Sequence, residues 1–288
     1  MLVLVTGAAG SLGRHVCLKL LEGGHRVRAL DVPAADFERL ASLDDVDMLK
    51  GDIRDRTFLG QAVEGCEWAI HLAAILPPSS ERVREQTMAI NVDGTQNLVD
   101  ALKEDGGTVP IVFASSVATY GDTTRERPPV TVDRPLLPTT IYGESKARCE
   151  RLLDRQYPST ILRIGGIAVP ELLELPVPWP FTAEQRLEFV NRDDVAVALV
   201  NCVGNRSVLG HSLNISGGKT WQLHGIEYIR GYYQAYQIPI EESKFCDRPG
   251  PYDWYDTTES QRMLGYQATS YPEFVARLTE NVTKALDA

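Results

Sequence analysis

The amino-acid sequence predicts an α/β fold, a doubly wound parallel sheet with a smaller C-terminal lobe. Three observations predict it. Short β-branched runs alternate with helically spaced apolar stretches through the first half of the chain. A glycine-rich turn joins the first run to the first helical stretch. After about residue 165 the pattern turns proline-rich and loses its period. Strand–helix–strand repetition implies parallel strands joined by right-handed crossovers, with helices on the faces of the sheet. A chain of 288 residues is long enough for one large α/β domain, alone or with a smaller lobe.

Taken in order, strands are expected at Leu2–Val5, Arg26–Leu30, Val46–Leu49, Trp68–His71, Ile111–Phe113 and Thr160–Ile164. Helices are expected at Ser11–Glu22, Glu81–Lys103 and about 143–156, where apolar residues recur at helical spacing. Val169–Phe181 contains four prolines and three leucines with no clean period, which suits an irregular segment lining a cleft. Shorter elements follow at Leu213–Ile215, Gly225–Tyr236 and Tyr271–Leu286. Residues 1–165, with strand contributions from about 189–216, are therefore expected to form the main domain. Residues 166–288 are expected to supply mainly a substrate-binding lobe and a C-terminal helix.

The first turn carries chemistry. Val3-Leu4-Val5-Thr6-Gly7-Ala8-Ala9-Gly10-Ser11-Leu12-Gly13 is a strand, a glycine turn and a helix start. Gly7 permits the tight turn, Gly10 lets backbone approach a pyrophosphate, and Gly13 lets the helix pack on the strand. The helix start then offers free N–H groups and a positive dipole end to phosphate. The spacing is G-x-x-G-x-x-G rather than G-x-G-x-x-G, but it stands at the first strand-to-helix turn, as a Rossmann-type site requires. Asp31 closes the second strand, 18 residues after Gly13. A carboxylate there accepts hydrogen bonds from ribose hydroxyls and repels a 2′-phosphate, which favours NAD over NADP. Asp52, after the third strand, is a second candidate.

A second constellation lies further on. Tyr142 and Lys146 are spaced i, i+4, so they share one helix face. A phenol is a poor acid–base at neutral pH, and a nearby ammonium moves it toward working pH. Ser115-Ser116 closes the fifth strand, at the sheet edge where ligands bind in open α/β folds. A serine there can hold a substrate oxygen while the tyrosine moves its proton. His71-Leu72-Ala73-Ala74 closes the fourth strand, where small residues let a cofactor lie against backbone. Pro77-Pro78-Ser79-Ser80 follows at the cleft mouth, so Ser79 and Ser80 are candidate substrate contacts.

Composition narrows the partners. The net charge of −10 argues against nucleic acid or an anionic membrane, which call for Lys/Arg stripes. No apolar run approaches a membrane span, and no leader-type segment precedes Thr6-Gly7, so a cytoplasmic protein is expected. The five cysteines form no C-x-x-C, and His211 and His224 have no paired ligand spacing, so no disulfide framework or metal is expected. Trp179, Trp221, Trp254, Tyr232, Tyr233 and Tyr236 read as core or cleft wall.

These pieces together resemble the extended short-chain dehydrogenase/reductases, in particular the NAD-dependent epimerase/dehydratase family acting on sugars and nucleotide sugars. The resemblance runs through TGAAGSLG (6–13), Asp31, GDIRD (51–55), HLAA (71–74), NVDGTQNL (91–98), SSVATYGD (115–122), YGESK (142–146), FVNRDDVAVAL (189–199) and DTTESQRMLGY (256–266). It implies a catalytic set of Ser116, Tyr142 and Lys146: Tyr142 as acid–base, Lys146 tuning it and holding the nicotinamide ribose, Ser116 orienting the substrate hydroxyl. It implies NAD contacts from Gly7, Ala9, Gly10, Ser11, Leu12, Gly13, Asp31, Asp52, Ile53, Leu72, Ala73, Ala74, Asn91, Tyr142, Lys146 and Ile164, with Asn91 also positioning the central helix. Substrate contacts are expected from Ser79, Ser80, Ser116, Val117 and Tyr142. It further implies a homodimer formed through helices about 84–104 and 143–156, whose apolar residues include Met88, Ile90, Val92, Leu98, Val99 and Leu102.

The chain also departs from that pattern. Dehydratases of the family carry Asp-Glu after the catalytic Ser/Thr, and here Val117-Ala118 stand there, which speaks against dehydration. The connection from Gly166 to Phe189 is short and lacks the glycine-rich, basic piece of nucleotide-sugar epimerases. Together with Arg163-Ile164-Gly165, it is similar to uronate dehydrogenases. Epimerase-type chemistry on a sugar or nucleotide sugar and dehydrogenation of a free sugar acid or other small hydroxy compound both stay open. A non-catalytic dinucleotide sensor is a further alternative.

Overall fold

Residue alternation along the first strand sets the architecture. In β1 (Leu2–Thr6), Val3 and Val5 face one side and Leu4 the other, and all three are fully buried. Side chains alternate across a strand, so such a strand needs a covered layer on both faces. The computed structural model, which describes residues 1–41 and 43–286, supplies both. The elements of the first half are α1 (Ser11–Glu22), β2 (Arg26–Asp31), α2 (Glu38–Ala41), β3 (Val46–Lys50), α3 (Arg56–Val63), β4 (Trp68–His71), α4 (Arg84–Met88), α5 (Gly94–Glu104) and β5 (Ile111–Ser116). There follow α6 (Ile141–Gln156), β6 (Ser159–Ile164), β7 (Gly166–Ala168), β8 (Arg186–Asn191), α7 (Arg192–Val200), β9 (Ser212–Ile215), β10 (Gln222–His224), α8 (Gly225–Ala235), α9 (Thr258–Leu264) and α10 (Tyr271–Leu286).

Seven strands pair in the order β3-β2-β1-β4-β5-β6-β9, all parallel. The order reverses between β1 and β4, which opens a crevice at the carboxyl ends of those strands. One face carries a core in which Cys17 and Leu20 of α1 and Val195 and Leu199 of α7 cover Val3, Val5, Val27 and Val112. The other face packs Leu59, Leu98, Leu102 and Leu153 against Leu4, Leu30, Ala69 and Phe113. A second sheet, β10-β8-β7, joins α8 and α10 around an aromatic core of Trp179, Phe181, Trp221, Tyr228 and Phe274. Among the described residues no helix is long and apolar enough to cross a membrane.

Two expectations change. The stretch 189–216 does not go wholly to the large sheet. β9 lies beside β6 and α7 packs on α1, but Phe189–Asn191 belongs to β8 of the small sheet. The helix expected at Glu81–Lys103 starts later and is interrupted by a π-helical turn at Ala89–Asp93. The wider turn accompanies Asn91, whose amide is occupied away from its own helix. It accepts from the Ile75 N–H at 2.8 Å and donates to the Ser145 hydroxyl at 2.9 Å.

Candidate active site

The glycine turn is built by contacts that leave no room for side chains. Gly7 has φ +71°, and a Cβ there would lie 2.8 Å from the Ala73 nitrogen. At Gly13 a Cβ would run into the Gly7 carbonyl, so α1 starts hard against the turn. The N-cap of α1 is Gly10, which gives no side-chain cap, and the first turn holds no acidic residue. Its first N–H groups are thus available to an outside acceptor. Thr6 ties β1 to β4: its hydroxyl accepts from the Ala73 N–H at 3.2 Å and lies 2.6 Å from Nδ1 of His71. His71 is fully enclosed, and Nε2 bonds Thr95 at 2.9 Å; burial holds its imidazole down to about 3, so it stays neutral.

Asp31 comes to the same turn from the end of β2. Its Oδ2 accepts from the Ala9 N–H at 3.0 Å and Oδ1 from the Val32 N–H at 2.8 Å. Each oxygen keeps a free lone pair, and the residue is half-buried at the crevice. Asp52 follows β3 and is forked by Arg54, with Nη2 to Oδ2 at 2.6 Å; that pairing holds its carboxyl below the usual range. Ile53 is buried against Gly94. Leu72, Ala73 and Ala74 are half-buried beyond β4, and Ile164 closes β6 from within the core.

Tyr142, the acid–base candidate, stands at the start of α6. Three first-turn N–H groups of this helix have side-chain acceptors. Glu81 accepts from Ile141 and Tyr142, each at 2.9 Å, and Thr140 accepts from Gly143 at 3.0 Å. Tyr142 is half-buried near Ser116, whose hydroxyl accepts from the Ala118 N–H at 3.1 Å. Lys146 lies one turn on, fully enclosed, its Nζ 5.8 Å from the Tyr142 ring centre, 4.6 Å from the Phe113 ring centre, and donating to the Ala114 carbonyl at 2.7 Å. Burial pulls its ammonium down to about 8. The tyrosine moves the other way. Loss of hydration raises the phenol, and the nearby Ser116 hydroxyl opposes that rise. Lys146 donates to backbone instead of to the phenol, so the lowering expected from the sequence is not present in the protein alone.

Behind this face lies a buried polar network that sequence reasoning missed. Ser115 donates to Glu150, which pairs with Arg163 at 2.8 Å; Arg163 also donates to Tyr120 at 3.0 Å, and Tyr120 donates to Asn214 at 2.6 Å. Its one sequence signal was Glu150 standing four residues after Lys146. Glu81 was missed too, because its partners are backbone groups 60 residues away. Two expected substrate contacts need correction. Ser80 has no exposure and its hydroxyl donates to Glu81 at 3.1 Å, so it does not face a ligand. Val117 is packed with Tyr120, Val130 and Tyr255 in a small apolar cluster. Ser79 is exposed. No group of metal-binding type occurs among the described residues.

The sheet's carboxyl edge thus presents a bare helix start, a carboxylate beside it, and a hydroxyl–phenol–ammonium set. That is the layout of a dinucleotide-dependent enzyme of the α/β class. A model of the NAD dependent epimerase/dehydratase family matches residues 3–171, and the chain belongs to that family. NAD is accordingly its cofactor, and the cradle fits it: Gly7 and Gly13 admit no side chain, and the α1 N–H groups have no internal acceptor. A UDP-glucose 4-epimerase of Halalkalibacterium halodurans is 36% identical over 155 residues, covering 53% of this chain and 45% of that protein. A D-erythronate dehydrogenase of Cupriavidus necator is 35% identical over 168 residues, covering 53% and 49%. The chain spans about half the length of these curated relatives. The structure of a UDP-glucose 4-epimerase from Thermotoga maritima with UDP-glucose superposes with a TM-score of 0.85 at 21% identity, over 99% of this chain and 100% of that one. A short-chain dehydrogenase/reductase from Agrobacterium tumefaciens with bound NAD gives 0.80 at 21%, over 99% and 98%. At that identity the likeness is one of fold.

Proposed function

We propose that this protein transfers a hydride to or from an alcohol carbon of a sugar or nucleotide sugar, with Tyr142 as the acid–base. The observation that carries this reading is that the Lys146 ammonium lies 5.8 Å from the Tyr142 ring centre, with Ser116, at the end of β5, acting on the same phenol. Bound NAD supplies the hydride acceptor. Gly7, Ala9, Gly10, Ser11, Leu12 and Gly13 would hold its pyrophosphate, Asp31 its adenosine ribose, and Leu72, Ala73, Ala74 and Ile164 the backbone side of the crevice. The substrate hydroxyl takes its place between Ser116 and Tyr142. Ser116 donates to that oxygen and orients it, while the Tyr142 phenolate takes the proton. Lys146 would turn from the Ala114 carbonyl toward the phenol for its charge to offset the burial that otherwise disfavours phenolate. Asn91 and Ser145 brace the helix that carries both residues.

Two readings of the substrate are supported by different observations. The match to UDP-glucose 4-epimerases favours a nucleotide sugar, with the hydride returned to the opposite face. The match to a D-erythronate dehydrogenase, with the short connection between β7 and β8, favours a free sugar acid and net oxidation. Dehydration is disfavoured, since Val117 and Ala118 carry no proton-transferring group and are buried. Incubation of the protein with NAD and a panel of UDP-sugars and aldonic or uronic acids, followed by absorbance of reduced cofactor and by product analysis, separates the outcomes. Stoichiometric reduction marks a dehydrogenase and isomer exchange without reduction an epimerase. Silence across the panel overturns the proposal in favour of a dinucleotide sensor.

The same reading takes the protein as a homodimer through the α4–α5 and α6 helices. Leu98, Val99 and Leu102 are fully used inside the subunit core, so that interface would rest on the half-buried Met88, Ile90 and Val92. Light scattering at micromolar concentration is expected to give twice the chain mass, and a monomer mass overturns the assembly.

A further inference from the structure

Arg192 opens α7, a helix outside the β1–α1 turn, yet its side chain ends on that turn. Its Nη1 donates to the Ser11 hydroxyl at 2.9 Å, and Ser11 is the first residue of α1. The guanidinium is enclosed, with the residue only 7% exposed, and its Nε has no hydrogen-bond partner. Its neighbour Asp193 does not neutralise it; that carboxylate faces His15 at 3.6 Å. What Arg192 does pair with is Glu171, Nη2 to Oε1 at 2.6 Å, on the segment that leaves β7. Glu171 is half exposed, and so is free to let go.

A buried guanidinium with an unused donor is costly unless an anion takes it up. Here it stands beside a helix start that has no capping side chain and no acidic residue in its first turn. We propose that Arg192 is a pyrophosphate-binding residue of the dinucleotide site, and that Glu171 occupies its fork until the pyrophosphate displaces it. This rests on the assignment of NAD as cofactor and adds to it. The diphosphate would meet backbone N–H groups from α1 and a planar charged fork from α7. The fork would also couple occupancy of the cofactor site to release of the segment between β7 and β8.

ADP and adenosine serve as probes, because they differ in the diphosphate alone. Their affinities are measured calorimetrically on the NAD-free native protein, Arg192→Gln and Glu171→Gln. Arg192→Gln is expected to weaken ADP by about 10- to 100-fold, the scale of a charge-assisted hydrogen-bonded pair, and leave adenosine unchanged. Glu171→Gln, a change at an exposed side chain, is expected to tighten ADP several-fold and leave adenosine unchanged. ADP binding by Arg192→Gln at native strength, or an equal loss for both probes, overturns the assignment. Where Arg192→Gln does not fold, Glu171→Gln decides: unchanged or weaker ADP binding overturns it. Native protein that binds no NAD overturns the cofactor assignment itself, which is a different failure.

Discussion

Tyr142 and Lys146 show how a helix spacing becomes a reactive pair only through its surroundings. The i, i+4 spacing places both on one face, but enclosure moves their proton affinities in opposite directions: the phenol up, the ammonium down to about 8. Tyr142→Phe keeps the ring and removes the proposed acid–base group. It should lower turnover by about 10²–10⁴-fold while leaving NAD affinity within about threefold, measured by steady-state kinetics and NAD titration. Retention of more than about a tenth of native turnover contradicts that role. Lys146 makes a prediction about stability. The unfolded chain keeps the lysine proton up to 10.5, the folded one only up to about 8. Between those values the unfolded state holds more protons, so stability rises with pH; below about 8 the full cost of the buried charge stands. Lys146→Met should therefore stabilise the NAD-free protein at pH 7. The gain is about 1–2 kcal/mol, the shift's equivalent less the hydrogen bond to Ala114. It should shrink as pH rises from about 8 toward 10.5. Thermal melts of both proteins across that range check the sign, and a gain that grows with pH contradicts it.

At the scale of elements, the start of α6 depends on a carboxylate from elsewhere in the chain. Glu81 accepts two of the first N–H groups, Ile141 and Tyr142, and so sets where the proposed acid–base residue begins its helix. Glu81→Ala is expected to cost about 1–2 kcal/mol in denaturant unfolding, the worth of a lost cap and its charge at a helix start. It should also lower kcat more than it weakens NAD binding, because Tyr142 is at the frayed end and the phosphate turn is not. Glu81→Gln should restore part of both. Equal loss of kcat and NAD affinity would mean that the whole fold had loosened instead. The π-helical turn at Asn91 works from the other side of α6. Asn91 reaches Ser145, and Ser145 donates to the Tyr142 carbonyl at 2.7 Å.

Across the whole molecule, the Glu150–Arg163 pair joins β5, β6 and α6 behind the site and reaches Asn214 in β9 through Tyr120. Both side chains are enclosed, so leaving one unpaired is expensive. Glu150→Gln should destabilise the protein by about 3–5 kcal/mol in chemical denaturation. The double change Glu150→Leu with Arg163→Met should recover most of that, because burying no charge is cheaper than burying one alone. A double variant as unstable as the single one would show that Tyr120 and Ser115, not the ion pair, carry the connection.

Local pattern determined much of this protein. The apolar run Leu2–Val5, the glycines of the first turn, Asp31 at a strand end and the Tyr142–Lys146 spacing are short-range signals, and they mark the parallel sheet and candidate residues at its carboxyl edge. Each works within one turn or one strand, where backbone geometry and side-chain direction leave few choices. Tertiary structure alone decided the rest. Glu81, Arg192 and the Glu150–Arg163 pair act across 13 to 181 residues of chain. Ser80 and Ser79 are identical in sequence terms, yet one is sealed and one exposed. Leu98, Val99 and Leu102 looked available to a partner until the sheet closed over them. Burial, unpaired donors and shifted proton affinities depend on what the folded chain packs around a group, and no local spacing carries that information.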